Sequence, residues 1–167
     1  MIDPVTGIER RAFSDDIARI ARLVNELPGH DVFSISTLAE DAPLERFSVT
    51  RLYPTLMNCV KPIRCSALHP ADAEQILQLG AVVAGSAEAY REHPFITHHY
   101  CPIVSPLTFD FDSTEMLIYF AEKGLPAFGS VVPNGGMSSP LTMLGTLTQG
   151  NAEFLAWTTL VQMIKPG

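Results

Sequence analysis

A glycine-rich loop contains the residue types of this sequence that are best suited to binding a ligand. It runs from Pro133 to Ser139 and reads Pro-Asn-Gly-Gly-Met-Ser-Ser, between a predicted strand that ends at Val132 and a predicted helix that begins at Pro140. Glycines let a ligand approach the backbone, and unpaired N–H groups at a helix N-terminus donate hydrogen bonds. The loop therefore fits a phosphate, a carboxylate or an amide, although it is neither a GxGxxG motif nor a Walker loop. A purely structural role, in which Ser139 and Pro140 cap the helix, is the alternative.

A second feature is the run His98-His99-Tyr100-Cys101 in a predicted strand. Side chains alternate between the two faces of a strand, so only His99 with Cys101, or His98 with Tyr100, can share a site. Two ligands do not complete a metal site, and spacing marks out no third one. The sequence therefore predicts no metal ion, and it leaves packing, polar capping or an imidazole that acts as acid, base or hydrogen-bond donor. The residues considered as a third ligand are Cys65, His69 and Asp110.

Aromatic residues near predicted strand ends form a third group. Aromatic faces attract ammonium groups, so these residues can form the walls of a site for a cationic ligand. Core packing is the alternative, because aromatic side chains bury readily. The group comprises Tyr100, Phe109, Phe111 and Phe128. Two polar residues of the last predicted helix, Asn151 and Glu153, are minor candidates, because such residues are more often exposed or interhelical hydrogen-bonding groups than catalysts.

The composition excludes several classes of protein. The chain has 167 residues, 47% of them hydrophobic and 17% charged, against roughly 25% charged in an average soluble domain. This balance predicts a single domain over residues 1–167 with a sizeable core, and it excludes a disordered or collagen-like chain. Eleven Lys plus Arg against eighteen Asp plus Glu give a net charge of −7, which argues against nucleic acid as a partner.

Cysteine usage and apolar runs bear on the cellular compartment. Three cysteines without C-x-x-C spacing, Cys59, Cys65 and Cys101, argue against a disulfide framework or a structural zinc cluster. They favour buried, inert thiols in a reducing cytoplasm. Residues 1–4 lack the features of a secretory signal, and no uncharged apolar run reaches the roughly 20 residues that span a bilayer. The sequence therefore predicts a cytoplasmic protein without a membrane partner.

Apolar spacing and chain breakers divide the sequence into alternating strands and helices. Ser14 is the predicted cap of the first helix, and Asp112 with Glu115 forms a predicted capping box before the fourth. Strands are predicted over residues 32–36, 61–68, 95–107 and 127–132. Helices are predicted over residues 14–27, 44–58, 70–90, 113–123 and 140–165. The helix over residues 70–90 has the clearest apolar stripe, which consists of Ile76, Leu79, Val83, Ala87 and Tyr90.

This alternation is the pattern of parallel βαβ units, so the predicted fold class is α/β. A complete (β/α)₈ barrel needs about 250 residues, so the chain supplies about half of one. We therefore predict a partial TIM-type barrel of about four βα units with parallel strands. Open sheet edges expose backbone donors and apolar surface, which predicts self-association, and two chains can in principle close one barrel.

The stretch over residues 124–156 carries a family resemblance. It contains Gly-Leu-Pro at 124–126, Pro-Asn-Gly-Gly-Met-Ser-Ser-Pro-Leu-Thr-Met-Leu-Gly-Thr-Leu at 133–147 and Gly-Asn-Ala-Glu-Phe-Leu-Ala at 150–156. On these residues the sequence resembles the trimethylamine methyltransferase family. Asp-Pro-Val-Thr-Gly at 3–7, Lys-Pro at 61–62 and Ser-Pro-Leu at 105–107 extend the resemblance over nearly the whole chain.

The resemblance implies a cytoplasmic (β/α)₈ barrel that moves a methyl group from a methylated amine to the cobalt of a corrinoid (cobalamin). The corrinoid is carried by a partner protein, and the amine is trimethylamine or a quaternary amine such as glycine betaine, a chemistry associated with methanogenesis. Such a site must desolvate a cation and align its methyl group with cobalt. The family's pyrrolysine position, or its replacement, lies beyond the Pro-Gly at residues 166–167, so the resemblance implies that this chain lacks the catalytic segment.

Active sites of (β/α)₈ barrels assemble at the face formed by the C-terminal ends of the strands. We therefore expect residues near the predicted strand ends to contact the corrinoid or the substrate. No catalytic residue is assigned. The first hypothesis is a methyltransferase half barrel, either a fragment or a chain that pairs with another half. The second is a non-catalytic half-barrel module that binds a small ligand or corrinoid, and a vestigial chain that folds poorly is a third. The predicted contact residues are Asn134, Gly135, Gly136, Ser138, Ser139, Ser105 and Ser66.

Overall fold

The computed structural model describes residues 1–35 and 37–167, with Leu44 described by its backbone alone. Ser36, the last residue of the predicted strand 32–36, lies outside the described residues. The chain divides into two units, of which the first is Met1–Ala67 with Ala71–Ile96 and the second is Leu68–Pro70 with Thr97–Gly167.

The first unit alternates helices with two short strands. The strands pair in parallel, with Phe33 opposite Ile63, as the βαβ pattern predicts. Helix α1 packs against α2, and Ala21, Phe33 and Cys59 form a buried apolar cluster between helix and strand. The elements are α1 (Ser14–Glu26), β1 (Phe33–Ser34), a 3-10 turn (Leu44–Arg46), α2 (Phe47–Leu56), β2 (Ile63–Cys65), α3 (Pro70–Ala84) and α4 (Ala87–Glu92).

The start of α1 differs from the prediction that Ser14 caps it. The N-cap residue is Phe13, whose backbone N–H donates to the Asp16 carboxylate at 2.9 Å. Both the backbone N–H and the hydroxyl of Ser14 bind Asp41 instead. Asp16 also accepts two hydrogen bonds from Arg10, at 2.6 and 2.7 Å. The predicted cap is wrong because the Ser14 hydroxyl donates its hydrogen bond to Asp41, 27 positions away. Local spacing in the sequence cannot show such a contact.

The predicted helix over residues 70–90 is two helices in the structure. The break lies at Gly85, whose φ of 91° is incompatible with a right-handed helix and is readily adopted by glycine. Ser86 then caps α4 through its hydroxyl. As a result, the predicted apolar stripe is buried at Ile76 and Tyr90 but exposed at Val83.

The second unit contains the ends of the strands expected to carry the site. Strands β3 and β6 pair in parallel, with His99 opposite Phe128, whereas β4 and β5 form an antiparallel hairpin. The predicted strand 95–107 therefore ends at Tyr100 and the chain continues as a hairpin. The elements are β3 (Ile96–Tyr100), β4 (Ile103–Val104), β5 (Thr108–Phe109), α5 (Phe111–Glu122), β6 (Ala127–Gly129) and α6 (Met143–Ile164).

Helices α5 and α6 supply the packing partners of one face of β3 and β6. The ring of His98 stacks on Phe120 of α5, with 3.6 Å between the ring centroids. Gly129 of β6 admits the indole of Trp157, because a Cβ at this glycine would lie 2.5 Å from Cε2 of Trp157. The buried cluster in this layer consists of Ile103, Leu117 and Trp157.

Helix α5 begins earlier than predicted. Its N-cap is Asp110, whose carboxylate accepts a hydrogen bond from the backbone N–H of Ser113 at 2.9 Å. The predicted capping box of Asp112 and Glu115 is therefore wrong. Asp110 follows β5, and its own backbone N–H donates to the carbonyl oxygen of Pro102, so the hairpin determines where the helix begins.

Helix α6 has 22 residues and an exposed apolar surface. Its one carboxylate, Glu153, is buried, which reverses the usual polarity of a surface helix. Along the described chain, no helix is both long enough and apolar enough to cross a membrane. The α/β class with parallel strands is confirmed. The exposed apolar residues of α6 include Met143, Leu144, Leu147, Leu155 and Met163.

Candidate functional site

Glu153 is the charged side chain that α6 directs into the second unit, where it is 1% exposed. Its Oε2 accepts a hydrogen bond from the Ser105 hydroxyl at 2.7 Å. Its Oε1 accepts from the backbone N–H of Leu107 at 3.1 Å and from Nε2 of Gln149 at 2.9 Å. Gln149 lies four residues earlier in α6, so both side chains share one face of the helix. The carboxylate therefore joins the hairpin loop to α6.

The Glu153 carboxylate is ionised at neutral pH. Burial raises its pKa, but the hydrogen bonds from Ser105, Leu107 and Gln149 lower it, and the net pKa lies below the ordinary value of a glutamate. Among the residues that the structure describes, no Lys, Arg or His forms a salt bridge with it. Hydrogen bonds thus stabilise a buried negative charge in this unit.

The hairpin loop that Glu153 holds is strained at Leu107. Its φ of 53° lies in the left-handed region, which residues other than glycine rarely occupy. Such a conformation costs on the order of 1–3 kcal/mol and persists where surrounding contacts hold it. Here the hydrogen bond from the Leu107 N–H to Glu153 is such a contact, so the carboxylate determines the shape of the loop.

The glycine-rich loop folds on itself. The carbonyl oxygen of Asn134 accepts hydrogen bonds from the N–H groups of Met137, Ser138 and Ser139, at 3.0, 3.0 and 3.1 Å. The Asn134 N–H donates to the Ser138 hydroxyl, and the Gly136 N–H donates to the Ser139 carbonyl. The expectation that these N–H groups are unpaired is therefore wrong. Ligand contact by the loop stays a prediction.

The start of α6 also differs from the prediction. Thr142 is the N-cap, and its hydroxyl accepts a hydrogen bond from the Gly145 N–H at 3.2 Å. The Ser139 hydroxyl instead forms a hydrogen bond with Thr146 at 3.0 Å. The predicted cap by Ser139 and Pro140 is therefore wrong, since the helix begins one turn later. The Ser139–Thr146 contact ties the glycine-rich loop to the first turn of α6.

Gln149 connects two segments that were predicted to form the site. Its Nε2 donates to the carbonyl oxygen of Ser138 at 2.7 Å and to Glu153 at 2.9 Å. Ser105 and Ser138, both predicted contact residues, thereby belong to one hydrogen-bonded network, which we call the Glu153 network (Ser105, Leu107, Ser138, Gln149 and Glu153). Ser66 lies after β2 in the first unit, and its contact with a ligand stays a prediction.

The ends of β3 and β6 carry a second polar cluster, on the strand face opposite α5. Nε2 of His99 lies 2.8 Å from the Ser130 hydroxyl, which lies 3.1 Å from Sγ of Cys101. The ring of Phe128, 47% exposed, is 5.7 Å from the His99 ring. Within the described part of the chain, no group of three or more His, Cys, Asp or Glu is arranged to hold a metal ion.

The alternation predicted for the His-His-Tyr-Cys run is present. His98 and Tyr100 both face Phe120 of α5, with ring centroids 3.6 and 5.9 Å apart. Burial lowers the pKa of His98 to about 3, so its imidazole is neutral. Tyr100 is buried in this layer, and of the two roles considered for it, core packing is the one that the structure supports.

Gln149 was missed from the sequence, and Glu153 was given too little weight. The available signal was a Gln and a Glu four residues apart in a helix otherwise rich in apolar and hydroxyl residues. The sequence does not show that these two side chains point into the protein, because apolar side chains of α6 are exposed while its carboxylate is buried. A periodicity argument assigns the charged face of such a helix to solvent.

Comparisons with known proteins agree with the resemblance. A sequence model of the family described as "Trimethylamine methyltransferase (MTTB)" matches residues 1–167. Trimethylamine methyltransferase MttB of Desulfitobacterium hafniense is 26% identical over 167 residues, which is 100% of this chain and 34% of that protein. Trimethylamine methyltransferase MttB1 of Methanosarcina mazei is 31% identical over 154 residues, 91% of this chain and 31% of that protein.

A relative named for a different substrate is similar to a comparable degree. The glycine betaine methyltransferase of Desulfitobacterium hafniense is 28% identical over 163 residues, which is 96% of this chain and 34% of that protein. The chain thus spans about a third of the length of the curated relatives that it matches.

Proposed function

This chain belongs to the trimethylamine methyltransferase family, and from that premise we propose that it takes part in moving a methyl group from a methylated amine to the cobalt of a corrinoid. The corrinoid, carried by a partner protein, is the methyl acceptor. The observation that carries the proposal is the Glu153 network, because it links Ser105 and Ser138 through a buried ionised carboxylate. Both residues lie in segments on which the family resemblance rests.

The proposed methyl transfer requires the protein to position the amine and the corrinoid rather than to transfer protons. Methyl transfer between a positively charged nitrogen and cobalt needs a desolvated cation aligned with the acceptor. A network whose members fix one another's positions supports such alignment, because contact residues held by hydrogen bonds lose little freedom when a ligand binds. Glu153 positions the Ser105 loop and Gln149 positions the Ser138 segment, while side chains such as Asn134 and Ser139 supply the proposed ligand contacts.

We further propose that residues 1–167 form one part of a (β/α)₈ barrel with about four βα units. The parallel pairs β1–β2 and β3–β6 support this, as does the exposed apolar surface of α6. We propose that a second copy of the chain, pairing through the open sheet edges, supplies the rest of the barrel. Light scattering after size-exclusion chromatography is expected to show a discrete dimer, and a monodisperse monomer would contradict the self-pairing.

A second candidate function is a non-catalytic module that binds a corrinoid or a small ligand without turning it over. The observation in its favour is that the Glu153 network fixes contact segments through hydrogen bonds, while no residue of that network is assigned a catalytic role. A cytoplasmic location and the lack of nucleic acid or membrane partners are proposed for either function. The net charge of −7 supports the exclusion of nucleic acid.

Visible absorbance of cobalamin separates the two candidates. The chain is mixed under anaerobic conditions with cob(I)alamin and with trimethylamine or glycine betaine, and the cobalt spectrum is followed. Formation of methylcobalamin above a protein-free control supports methyl transfer. A spectral change on binding without methylation contradicts methyl transfer and supports the module, whereas no change of either kind contradicts both methyl transfer and a corrinoid-binding module.

A further inference from the structure

Arg51 of α2 is a buried cation, with 7% of its surface exposed. One flat face of its guanidinium covers the ring of Phe47, with 3.9 Å between Cζ and the ring centroid. Such stacking leaves the N–H groups at the edge of the guanidinium free to donate hydrogen bonds. Burial lowers the pKa of Arg51, but an arginine in a protein keeps its charge at neutral pH. The first unit therefore contains a buried positive charge.

The edge of the Arg51 guanidinium is poorly supplied with acceptors. Nη2 donates to the carbonyl oxygen of Ser66 at 3.5 Å, whereas such bonds usually measure about 2.7–3.2 Å. Nε, on the same edge, is buried and forms no hydrogen bond with any residue that the structure describes. Buried polar atoms in native proteins usually have a partner. Two adjacent donors thus indicate an acceptor that the described chain does not supply.

The charge of Arg51 also has no counter-ion in the described part of the chain. None of the salt bridges found there includes Arg51. Asp72, a carboxylate that contacts the same helix, accepts a hydrogen bond from the Ser48 hydroxyl at 3.2 Å instead. Cys65 interacts electrostatically with Arg51, but burial raises the pKa of its thiol to about 12, so the thiol is neutral at pH 7. Burial of an unpaired charge is strongly destabilising, so a partner from outside the described chain would stabilise the fold.

We propose that the Nε–Nη2 edge of Arg51 binds a small monovalent oxyanion of the carboxylate type. One oxygen of the carboxylate accepts from Nε and the other from Nη2, in the two-point geometry that guanidinium and carboxylate groups share. Nη2 carries two N–H groups, so its contact with Ser66 persists when the anion binds. Ser66 directly follows β2, and ligands of parallel α/β sheets bind outside the carboxyl ends of the strands.

Charge balance selects the class of anion. A monovalent carboxylate neutralises the single charge of Arg51, whereas a divalent sulfate leaves one buried negative charge unpaired. Chloride neutralises the charge but offers one acceptor atom to two donors of fixed spacing. The site therefore favours small carboxylates over both of these ions. Neither Arg51 nor Ser66 belongs to the Glu153 network, so this binding does not depend on methyl transfer.

The side-chain Nε–H signal of Arg51 in an NMR spectrum reports this contact directly. The whole 167-residue chain is titrated with sodium acetate at about pH 6, where the carboxylate is ionised, and sodium chloride keeps the ionic strength constant. We expect one Nε–H signal, absent in Arg51→Lys, to move downfield and to saturate. Sodium sulfate at the same ionic strength should produce no saturable shift. An absent or unsaturated acetate shift, or one that sulfate matches, would overturn the proposal.

Matched variants separate a bound anion from general effects of salt. Arg51→Lys keeps the charge but removes the two-point edge, and Arg51→Met removes the charge at similar length. Acetate is expected to raise the urea midpoint of the unmodified chain, because it binds the folded state, and to raise that of either variant at least about threefold less. Arg19→Lys, at an exposed position of α1, is the control and should respond as the unmodified chain does. An equal shift of the midpoint in Arg51→Met and in the unmodified chain would contradict the site.

A counter-ion within the chain would make the ligand unnecessary, and Asp72 is the carboxylate that contacts α2. Asp72→Asn keeps an acceptor for the Ser48 hydroxyl but removes the charge. We expect the Arg51 Nε–H signal without acetate to stay in place in this variant, and acetate to bind at least as tightly as to the unmodified chain. A displaced signal in Asp72→Asn, or a marked loss of stability in Arg51→Met in chloride alone, would show that the charge is already paired and would overturn the proposal.

Discussion

The hydroxyl of Ser105 donates a hydrogen bond of 2.7 Å to Oε2 of Glu153, 48 residues further along the chain. This contact ties the hairpin that follows β3 to the middle of α6. Because Gln149 extends the same network to the carbonyl oxygen of Ser138, one carboxylate organises two segments that the sequence singles out. Its removal therefore has consequences for both stability and function.

Replacement of this carboxylate by an amide is expected to destabilise the chain. In Glu153→Gln the side chain offers one acceptor oxygen to three donors and brings an N–H₂ group among them, so buried hydrogen bonds are lost. We expect the free energy of unfolding to fall by about 1–3 kcal/mol, measured by urea denaturation at pH 7. Glu122→Gln, at an exposed position of α5, is the control, and equal unfolding free energies in the two variants would contradict the network.

The buried imidazole of His98 is expected to make stability fall as the pH falls. Its pKa in the folded state is about 3 because of burial, against about 6.5 for an ordinary histidine. Between these values the unfolded chain binds a proton that the folded chain does not. Stability is thus retained above about pH 6.5 and lost as the pH falls towards 3, by about 2 kcal/mol at pH 5.

The His98 prediction is checked with His98→Phe, which keeps a ring against Phe120 and removes the titrating group. The difference in unfolding free energy between pH 7 and pH 5 should be smaller by about 2 kcal/mol in His98→Phe than in the unmodified chain. His93→Gln, at an exposed position, should leave the difference as it is. A pH dependence that persists in His98→Phe would refute the assignment.

The packing of Trp157 against Gly129 predicts that β6 has no room for a side chain larger than that of glycine at position 129. Gly129→Ala places a methyl group 2.5 Å from two carbon atoms of the indole, so either the helix or the strand must move. We expect a loss of about 1–3 kcal/mol in the free energy of unfolding. Trp157→Phe removes the clashing atoms, and a double-mutant cycle should show that alanine costs less in its presence. Additive losses would contradict the contact.

The three cysteines are expected to differ in their reactivity. Cys101 is exposed and hydrogen-bonded to Ser130, so the expectation of a buried, inert thiol is wrong for this residue. Cys59 and Cys65 are buried, and burial raises the pKa of Cys65 to about 12. A thiol reagent at pH 8 should label one thiol of the native chain quickly and all three in urea. Cys101→Ser should abolish the fast phase, and a fast phase that remains in this variant would disprove the prediction.

Local patterns in the sequence were sufficient for some elements and not for others. The face alternation of His98 and His99 follows from strand geometry alone, and the structure has it. The Ser14 hydroxyl, which was predicted to cap α1, binds Asp41 far along the chain, and the start of α5 depends on the hairpin before Asp110. Such contacts between distant segments leave no local periodicity, so the predicted cap of α1 and the predicted start of α5 were wrong.

The site was predictable in its segments but not in its geometry. Ser105 was selected because it lies near the end of a predicted strand, and Ser138 because it lies in the loop that follows another. The structure includes both in the Glu153 network. The inward direction of Glu153 was not predictable, because periodicity places a lone carboxylate of an apolar helix towards water. Within the glycine-rich loop, backbone N–H groups donate to the Asn134 carbonyl oxygen. These hydrogen bonds likewise depend on backbone torsions that residue types alone do not specify.

The initial rate of cobalt methylation in Glu153→Gln tests the proposed role of the Glu153 network most directly. The variant, the Glu122→Gln control and the unmodified chain are compared at equal folded concentration, with cob(I)alamin and saturating trimethylamine. We predict methylation by the unmodified chain and by the control, and a rate at least about tenfold lower in Glu153→Gln, because misplacement of the contact residues removes alignment. Equal rates in all three proteins, or no methylation by the unmodified chain, would contradict the proposed role.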